Sequence, residues 1–502
     1  MPSGGRPGQL SPKAILLGML CAIDRGRPAH LVAGWAALAE LDVSDQLRLG
    51  VATSARGQLQ RATYRQFSST HQVMIRAIDP QPVPSFKGVP DAGRAQHLAD
   101  ARAQLDADQA GVRLAGVLDA LVEASVPDAY KFATSSLAID WSDHETWSRP
   151  RPKDDPVPAN DPDASWGHAK RNAPGAIDHL FFGYYAQVAT MVNDEGKDAV
   201  PELIRRVAFA PPSQDPAALM ASTVVRAYDE GVPAGDVLCD CGYSNRHPDT
   251  FAARLRRAGA RLVMDLHPAD RGPKGTHQGA VIANGNLYCP CTPRPLLELG
   301  PLGRQSNEDT VIVHDARSAE LARYKLGRIC AEDQDGAHRV MCPALLGKVR
   351  CALRPTSMAS DFSHPEVLDA PEHPPKCCVQ QTITVGGQIA AKAAQRHDYP
   401  SRAHRLSYRR RTASERTFAW LKDPATLAMR RGWSRLMGLA KNSLLFALAA
   451  VVRNVRAVES FERRRAEEAR RASLGSSPRR RRRRVATATE PLDPALEPID
   501  SG

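Results

Sequence analysis

The segment from residue 131 to residue 266 constrains the fold most, because short apolar stretches alternate in it with helical ones. The β-branched and aromatic composition of the apolar stretches predicts strands, at residues 135–140, 180–192, 237–240 and 260–266. Helices are predicted between these strands, at residues 216–230 and 247–258. Strands that alternate with helices indicate an α/β domain.

The regions on either side of this segment have different patterns. Residues 1–130 contain short apolar helices, the first of which begins at the N-cap pair Ser11-Pro12, and they predict an all-α N-terminal domain. The break at residues 25–28 separates two of these helices, which is compatible with a helix-turn-helix DNA reader. Residues 267–400 are rich in Pro, Gly and Cys, so a β-rich, irregular insertion is predicted there.

The net positive charge of the chain is concentrated in its C-terminal quarter. Residues 401–484 contain 24 Lys and Arg against 6 Asp and Glu, whereas the net charge of residues 1–400 is −2. A catalytic helix and a long helical region are predicted at residues 401–471, followed by a disordered tail at residues 472–502 with six consecutive arginines. This concentration of charge favours a polyanionic partner, and a solvated helix face with a basic tail is the alternative.

Two acids follow predicted strands and are candidates for chemistry. Asp140 ends the strand predicted at residues 135–140, and Asp240 ends the strand predicted at residues 237–240. If the two strands are neighbours in one sheet, both carboxylates lie at the edge where α/β folds place their sites. Each acid by itself could instead form a turn or cap a helix.

A third acid lies in the basic stretch at residues 408–422, YRRRTASERTFAWLK. On one regular helix Tyr408, Arg411, Glu415 and Lys422 would project from a stripe of about 60°. The carboxylate on such a stripe can hold a divalent metal ion, while the phenol and the cations hold phosphate oxygens. The alternative is a structural ion pair between Arg411 and Glu415, which are four residues apart.

The spacing Tyr408-x2-Arg411-x3-Glu415-x6-Lys422 resembles, without a gap, the Y-R-E-K signature of one large branch of DDE transposases, the enzymes encoded by bacterial insertion sequences.

Two further segments are similar to motifs of the same family. Residues 237–244 (VLCDCGYS) resemble its second motif, in which an Asp at a strand end is followed by Gly and Tyr. Residues 138–146 (AIDWSDHET) resemble its first motif. The resemblance covers residues 131–455.

The resemblance implies a ribonuclease H-like catalytic core whose first part is residues 131–266, interrupted by the insertion at residues 267–400. It implies a catalytic triad on two adjacent central strands and a later helix, formed by Asp140, Asp240 and Glu415.

The resemblance also implies a chemistry and a set of partners. The triad would bind Mg²⁺ or Mn²⁺, and Tyr408, Arg411 and Lys422 would orient the scissile phosphate. The N-terminal helices would recognise transposon ends, so the expected partner is double-stranded DNA, both transposon ends and target. Because two ends must be joined, a homodimer is expected on DNA.

Other acids near the motifs remain alternatives. Asp143 lies three residues after Asp140 and could be the first acid instead. Asp236 and Asp265 compete with Asp240, although neither is followed by the Gly-Tyr turn.

The insertion holds seven of the ten cysteines. Four of them could form a tetrahedral structural Zn²⁺ site, with Cys289, Cys291, Cys342 and Cys351 as candidates. The spacings C-P-C and C-C differ from those of a zinc ribbon, and reduced, partly buried thiols are the alternative.

No segment is predicted to be a secretory signal or a membrane span. The apolar run at residues 14–23 is followed at once by Asp24 and Arg25, and the run at residues 443–452 is too short to cross a bilayer. We therefore expect a cytoplasmic, nucleoid-associated protein with no membrane partner.

The sequence thus predicts a transposase that catalyses metal-dependent DNA strand cleavage and strand transfer of its own insertion sequence. A non-catalytic DNA-binding protein derived from a transposase is an alternative, but it predicts damage to the triad, and all three acids are present. A nuclease on the same fold, without strand transfer, is the other alternative.

Overall fold

The computed structural model describes residues 10–55, 58–152, 155, 157–169, 179–303, 305–333 and 335–474. From residue 475 onward, the predicted disordered tail and its six arginines lie outside these described residues. Contacts within the chain define two units, Met1–Val458 and Glu459–Gly502. All sites discussed below belong to the first unit.

The N-terminal region is mostly helical, with α1 (Pro12–Asp24), α2 (Leu31–Ala39), α3 (Val43–Arg48), α4 (Tyr64–Ile78), α5 (Arg94–Ala103), α6 (Ala107–Glu123) and α7 (Asp128–Lys131). As predicted, the Ser11 hydroxyl caps α1 by accepting the N–H of Ala14. The region differs from the all-α prediction by an antiparallel hairpin, β1 (Ala52–Ala55) and β2 (Gln58–Arg61). Gly50, with a φ of 67°, follows α3 and lets the chain turn into this hairpin.

A six-stranded mixed sheet lies at the centre of the first unit. Its strands are β3 (Ser136–Glu145), β4 (Ser165–Ala169), β5 (His179–Val192), β6 (Ile204–Ala210), β7 (Asp236–Cys239) and β8 (Arg261–Met264). Their order is β4-β5-β3-β7-β8, and β6 also pairs with β5. Strands β3, β7 and β8 are parallel, whereas β5 runs antiparallel to β3, β4 and β6.

Helices alternate with these strands, so the segment is mixed α/β, as the sequence pattern predicts. They are α8 (Pro216–Asp229), α9 (Cys241–Ser244) and α10 (Ala252–Arg257). The helix predicted at residues 247–258 is shorter than expected, because a 3-10 turn at Pro248–Thr250 precedes α10. Strand β6 has no counterpart in the sequence prediction.

Strand β3 is longer than predicted, and Asp140 lies inside it instead of at its end. Antiparallel pairing with β5 runs over the whole of β3, as far as Glu145. Parallel pairing with β7 covers only Leu137 and Ala138. The strand continues past Asp140 because β5 still satisfies its backbone hydrogen bonds after β7 has ended.

The insertion contains short strands in three small sheets. They are β9 (Pro273–His277), β10 (Ala280–Ala283), β11 (Asn286–Tyr288), β12 (Gly327–Arg328), β13 (His338–Met341), β14 (Arg350–Cys351), β15 (Glu366–Val367) and β16 (Thr382–Val385). It also contains helices α11 (Arg294–Leu297), α12 (Glu308–Tyr324) and α13 (Lys376–Val379). The 17-residue α12 corrects the expectation of a β-rich, irregular region. It begins at Asn307, whose side chain accepts the N–H of Thr310.

The C-terminal helices of the first unit differ from the predicted continuous helix. They are α14 (Arg402–Tyr408), α15 (Thr412–Lys422) and α16 (Leu439–Ser473), of which α16 continues into the second unit. A 3-10 turn at Arg409–Arg411 separates α14 from α15. Pro424 follows α15, and a proline there disfavours continuation of the helix. The signature residues therefore do not share one regular helix.

The two largest apolar clusters among the described residues both pack on the central sheet. One contains residues from α1, α4, α6, β5, β6, α15 and α16, so the N-terminal helices share it with the C-terminal ones. The other joins β3, β7 and β8 to α8 and α10. The domain boundary predicted at residue 130 therefore does not separate two cores. In the described part of the chain, no helix is both long and apolar enough to cross a membrane.

Candidate active site

Asp140 and Asp240 occupy equivalent positions on neighbouring parallel strands. Ala138 of β3 lies opposite Leu238 of β7, and Asp140 and Asp240 each follow two residues later. The charge of Asp240 acts on Asp140, so the two carboxylates are neighbours. Paired strands are about 4.8 Å apart, so the two carboxylates share one edge of the sheet. Asp240 is the first residue after β7, which ends at Cys239.

The Gly-Tyr turn that follows Asp240 has a steric reason. Oδ1 of Asp240 accepts the N–H of Gly242 at 2.9 Å and caps α9. A Cβ on residue 242 would lie 2.9 Å from the ring of Trp141 and 3.0 Å from Oδ1 of Asp240. A larger residue at this position would force the Trp141 ring or the Asp240 carboxylate to shift. The cap and a catalytic role are compatible, because the cap uses one carboxylate oxygen.

Asp140 is the most perturbed acid of the site. Its side chain is 16 % exposed, and its Oδ1 accepts the N–H of Trp141 at 2.9 Å. Burial, together with the charges of Asp240 and Glu415, raises the pKa of Asp140 to about 7. A buried carboxylate beside two others is an environment that favours a bound cation.

Arg411 connects the strands to the third acid. Its Nη1 lies 3.5 Å from Oδ2 of Asp140, and its Nη2 donates to the carboxylate of Glu415. Burial lowers the pKa of Arg411, but Tyr408, Asp140, Glu415 and Asp240 outweigh burial, so its pKa is raised. Arg411 therefore stays charged, and it is 11 % exposed whereas Glu415 is 45 % exposed.

Tyr408 packs between Arg411 and His404 at the candidate site. The guanidinium of Arg411 lies 5.5 Å from its ring centroid, and the ring stacks on His404 at 5.6 Å and 15°. Burial raises the pKa of Tyr408, and the charges of Asp265 and Asp240 contribute in the same direction. The phenol is therefore protonated at neutral pH and can donate a hydrogen bond.

Lys422 is separate from the other signature residues. Its Nζ lies 2.9 Å from Oδ1 of Asp143, and no described contact joins it to the three acids. It lies seven residues beyond Glu415, about 10 Å along α15. The prediction of one regular helix is therefore corrected, since Tyr408 ends α14 and Arg411 lies in the 3-10 turn. Glu415 and Lys422 share α15, but Lys422 is paired with Asp143.

The competing acids have other partners. Asp143 is held by Lys422, as described. Asp265 accepts the phenol of Tyr399 at 3.0 Å and pairs with Arg271 at 3.2 Å.

Asp236, at the start of β7, is fully buried and is bound by several arginines. One of them, Arg410, lies in the 3-10 turn beside Arg411 and was not singled out from the sequence. It donates to Asp236 at 2.7 Å, to the carbonyl of Asn193 at 3.1 Å and to the hydroxyl of Ser136 at 3.4 Å. Because Arg410 stands between two other arginines, no local signal distinguishes it in the sequence.

The candidate site offers the type of donor atoms that the metal implied by the resemblance binds. The three acids supply carboxylate oxygens, the type of ligand that Mg²⁺ and Mn²⁺ prefer. The pKa of Asp140 is raised mainly by burial and further by the like charges of Asp240 and Glu415. Within the described residues, however, no group of three or more His, Cys, Asp and Glu side chains is arranged to hold a metal ion. The carboxylate of Glu415 accepts a hydrogen bond from Arg411, whose guanidinium also lies 3.5 Å from Oδ2 of Asp140.

A cavity of about 710 Å³ lies away from the candidate site. It is lined by residues of α10 and β8 on one side and by residues of the insertion on the other. Its lining includes Arg256, Arg328 and Lys348, and it contains none of the three acids. The candidate site is therefore distinct from this cavity.

The four candidate zinc ligands lie in one part of the insertion. Cys289, Cys342 and Cys351 are buried in a common apolar cluster, and Cys291 packs against it. The neighbouring cluster contains Cys377 and Cys378.

Comparisons of the chain with protein-family models, with curated proteins and with solved structures give no match.

Proposed function

We propose that this chain is a DDE transposase that catalyses metal-dependent cleavage and strand transfer of the DNA of its own insertion sequence. The catalytic core would be ribonuclease H-like, with the two aspartates on adjacent strands and the glutamate on a later helix. The observation that carries the proposal is the proximity of Asp140 and Asp240, each two residues beyond the paired Ala138 and Leu238, with Arg411 linking Asp140 to Glu415.

The acids of the site and its phosphate-binding residues would have different roles in the reaction. Asp140, Asp240 and Glu415 would hold Mg²⁺ or Mn²⁺, which supplies Lewis-acid activation of a water or a 3′-hydroxyl and stabilises the leaving oxygen. The fixed guanidinium of Arg411 can hold two phosphate oxygens, and the protonated phenol of Tyr408 can donate to a third. These groups position the scissile phosphate for in-line displacement, so no protein nucleophile is needed.

Lys422 would have a separate task in this scheme. Because it lies about 10 Å from Glu415 along the helix, it suits a phosphate of a neighbouring nucleotide better than the scissile one. Its pairing with Asp143 holds the ammonium group at that place.

Double-stranded DNA, as transposon ends and as target, is the partner in this proposal. The positive charge of residues 401–484 favours a polyanion. A homodimer on DNA and a nucleoid-associated location in the cytoplasm belong to the same proposal, since two ends must be brought together.

The direct test uses linear duplexes that carry the inverted repeats flanking the gene, incubated with the full chain and Mg²⁺. We expect nicking at the repeat ends and joining of those ends to a second duplex. Asp240→Asn keeps an oxygen that can cap α9 but removes the charge, so it should bind the duplex and lose cleavage.

Three outcomes would contradict the proposal. Cleavage by the Asp240→Asn protein would exclude the proposed site. Binding without cleavage by the wild type, in Mg²⁺ and in Mn²⁺, would indicate the non-catalytic alternative. Hydrolysis without any joined product would indicate a nuclease.

A further inference from the structure

The cavity of about 710 Å³ lies where the insertion meets the central sheet. Its lining includes Arg256 of α10, Arg261 of β8 and insertion residues between 285 and 398. Arg261 lies opposite Asp236 at the start of the parallel strands, whereas Asp240 follows the other end of β7. The cavity therefore reaches the end of the sheet opposite to the proposed catalytic acids, about 13 Å away along β7.

One side of the cavity is formed by residues 394–398, which are held against β8. The N–H of Arg396 donates to the carbonyl of Leu262 at 2.8 Å. The N–H of Met264 donates to Oε1 of Gln395 at 2.7 Å. This side is therefore formed without a ligand, as in most small-molecule sites.

The lining carries a surplus of positive charge. Among the residues that the structure describes, it contains six Lys and Arg against one Glu and one Asp. Each of these acids is already bound by a cation of the lining: Glu332 pairs with Arg328 at 2.8 Å, and Asp398 pairs with Lys325.

The other four cations of the lining differ in their partners. Arg261 and Arg396 both pair with Asp236, a buried acid outside the lining. Arg256 and Lys348 form no ion pair with any residue in the described part of the chain. Two positive charges of the cavity thus have no bound carboxylate.

Two side chains of the lining also keep hydrogen-bond donors without acceptors among the described residues. Nη2 of Arg256 donates to the carbonyl of Ala391 at 3.1 Å, but its Nε is buried and has no partner. Glu332 acts on Arg256 only through its charge. Because Oε1 of Gln395 accepts the N–H of Met264, the amide nitrogen is its other end, and Nε2 is likewise buried without a partner. Buried donors without acceptors cost free energy, which an anion can recover.

A further part of the lining is apolar. It includes Leu287, Leu326, Val340, Leu346, Val385 and Ile389. Apolar side chains beside unpaired cations suit a ligand that has an uncharged ring system at one end and an anion at the other. The volume lies within the range of small-molecule sites, about 300–1,000 Å³, whereas a DNA duplex could contact only the opening of such a cavity.

We propose that this cavity binds a nucleoside diphosphate, whose two phosphate groups are held by Arg256, Lys348 and the amide of Gln395. Guanidinium, ammonium and amide N–H groups are suitable donors to phosphate oxygens. Nζ of Lys348 lies 3.9 Å from the position that a Cβ on Gly327 would take, so the glycine leaves space for the ammonium group beside β12. The base and sugar would lie against the apolar side chains. The inference does not depend on the proposed function.

Isothermal titration calorimetry of the full chain tests the site, with ADP, GDP, CDP and UDP as probes. EDTA is present, so that no metal ion at the candidate active site can hold phosphate. We expect at least one probe to bind, and Lys348→Gln to weaken its binding about tenfold or more. Arg256→Gln should have the same effect. Because Lys348 forms no ion pair with a described residue, Lys348→Gln should stay folded, which a melting curve checks.

Lys274→Gln is the matched control. Lys274 is exposed in β9 of the same insertion and lies outside the lining. The substitution removes the same charge from the same region, so it should leave the affinity for the nucleotide unchanged.

Three results would overturn the proposal. The first is a folded wild type that binds none of the four diphosphates. The second is equal weakening by Lys274→Gln and Lys348→Gln, which would indicate a general attraction of anions to the insertion. The third is displacement of the nucleotide by a DNA duplex, with weaker duplex binding in Lys348→Gln, which would assign these cations to a DNA-binding surface.

Discussion

At the scale of the residue, Asp140 combines burial with a place among like charges. Asp140→Asn removes its charge and keeps its shape, so cleavage of repeat-bearing duplexes should fall by more than about 100-fold. Because the substitution also removes repulsion from Asp240 and Glu415, the thermal midpoint should not decrease. A cleavage assay and a melting curve on the same preparation measure both effects.

Asp143 provides the matched control for this substitution. It lies three residues away on the same strand and is paired with Lys422. Asp143→Asn should keep cleavage within about tenfold of the wild type, since it does not remove a proposed metal ligand. The opposite result, with Asp143→Asn inactive and Asp140→Asn active, would make Asp143 the first acid.

His144 should make stability depend on pH. Burial, with the positive charge of Lys422, lowers the pKa of His144 from 6.5 to about 4. The folded state therefore keeps it neutral, and its contribution is complete above pH 6.5 and is lost as the pH falls toward 4.

As the pH falls from 7 to 5, His144 becomes protonated in the unfolded chain but stays neutral in the folded one. This difference lowers the free energy of unfolding by about 2 kcal/mol. Urea unfolding of His144→Gln should show a correspondingly smaller decrease than the wild type. Parallel decreases for the two proteins would contradict the assignment.

At the scale of the element, the 3-10 turn at Arg409–Arg411 determines where Arg411 of the candidate site lies. Arg410 fastens this turn to Asp236 at the start of β7 and to Ser136 at the start of β3. These are the two strands that carry the aspartates. The turn therefore sets the position of Arg411 relative to both of them.

Loss of this anchor should destabilise the chain. Arg410 is 10 % exposed and Asp236 is fully buried, so Arg410→Ala should lower the free energy of unfolding by about 2 kcal/mol, the other arginines around Asp236 limiting the cost. Arg409→Ala is the control, because Arg409 is exposed, and its effect should stay within about 0.5 kcal/mol. Equal midpoints in urea for the two variants would remove Arg410 from this role.

The sequence predicts those elements whose composition matches their environment. Strands β3, β5, β7 and β8 are apolar and β-branched, and their existence is confirmed, as is the neighbouring position of β3 and β7. Strand β6 is fully buried but contains Arg205 and Arg206, which pair with Glu123 and Asp119. Because these partners lie far away in the chain, the burial of the two arginines has no local signal.

Prediction of the candidate site from the sequence is limited in the same way, because part of its geometry depends on residues distant in the chain. The spacing of the signature residues marks Glu415 and Arg411, and two strand ends mark the aspartates. The proximity of Asp140 and Asp240 arises from the pairing of Ala138 with Leu238, which joins segments 100 residues apart. The 3-10 turn that separates Tyr408 from the helix carrying Glu415 and Lys422 also depends on tertiary contacts, among them those of Arg410.

At the scale of the whole molecule, the N-terminal helices are part of the same core as the candidate site. Phe67 of α4 and Phe446 of α16 are both fully buried in one apolar cluster. That cluster also includes Phe418 of α15, the helix that carries Glu415. A perturbation in α4 should therefore reach the C-terminal helices through packing, in contrast to an N-terminal domain that folds independently.

Phe67→Ala tests this coupling. Removing a buried aromatic ring costs about 3–5 kcal/mol, and in a shared core the cost weakens every element that packs there. We expect faster hydrogen exchange in the buried part of α16 at residues 443–452, as well as in α4. Val73→Ala in the same helix is the control, since Val73 is 64 % exposed and its loss should leave both regions unchanged. Faster exchange confined to α4 would mean that the N-terminal region unfolds by itself, and the predicted boundary at residue 130 would then mark a real domain.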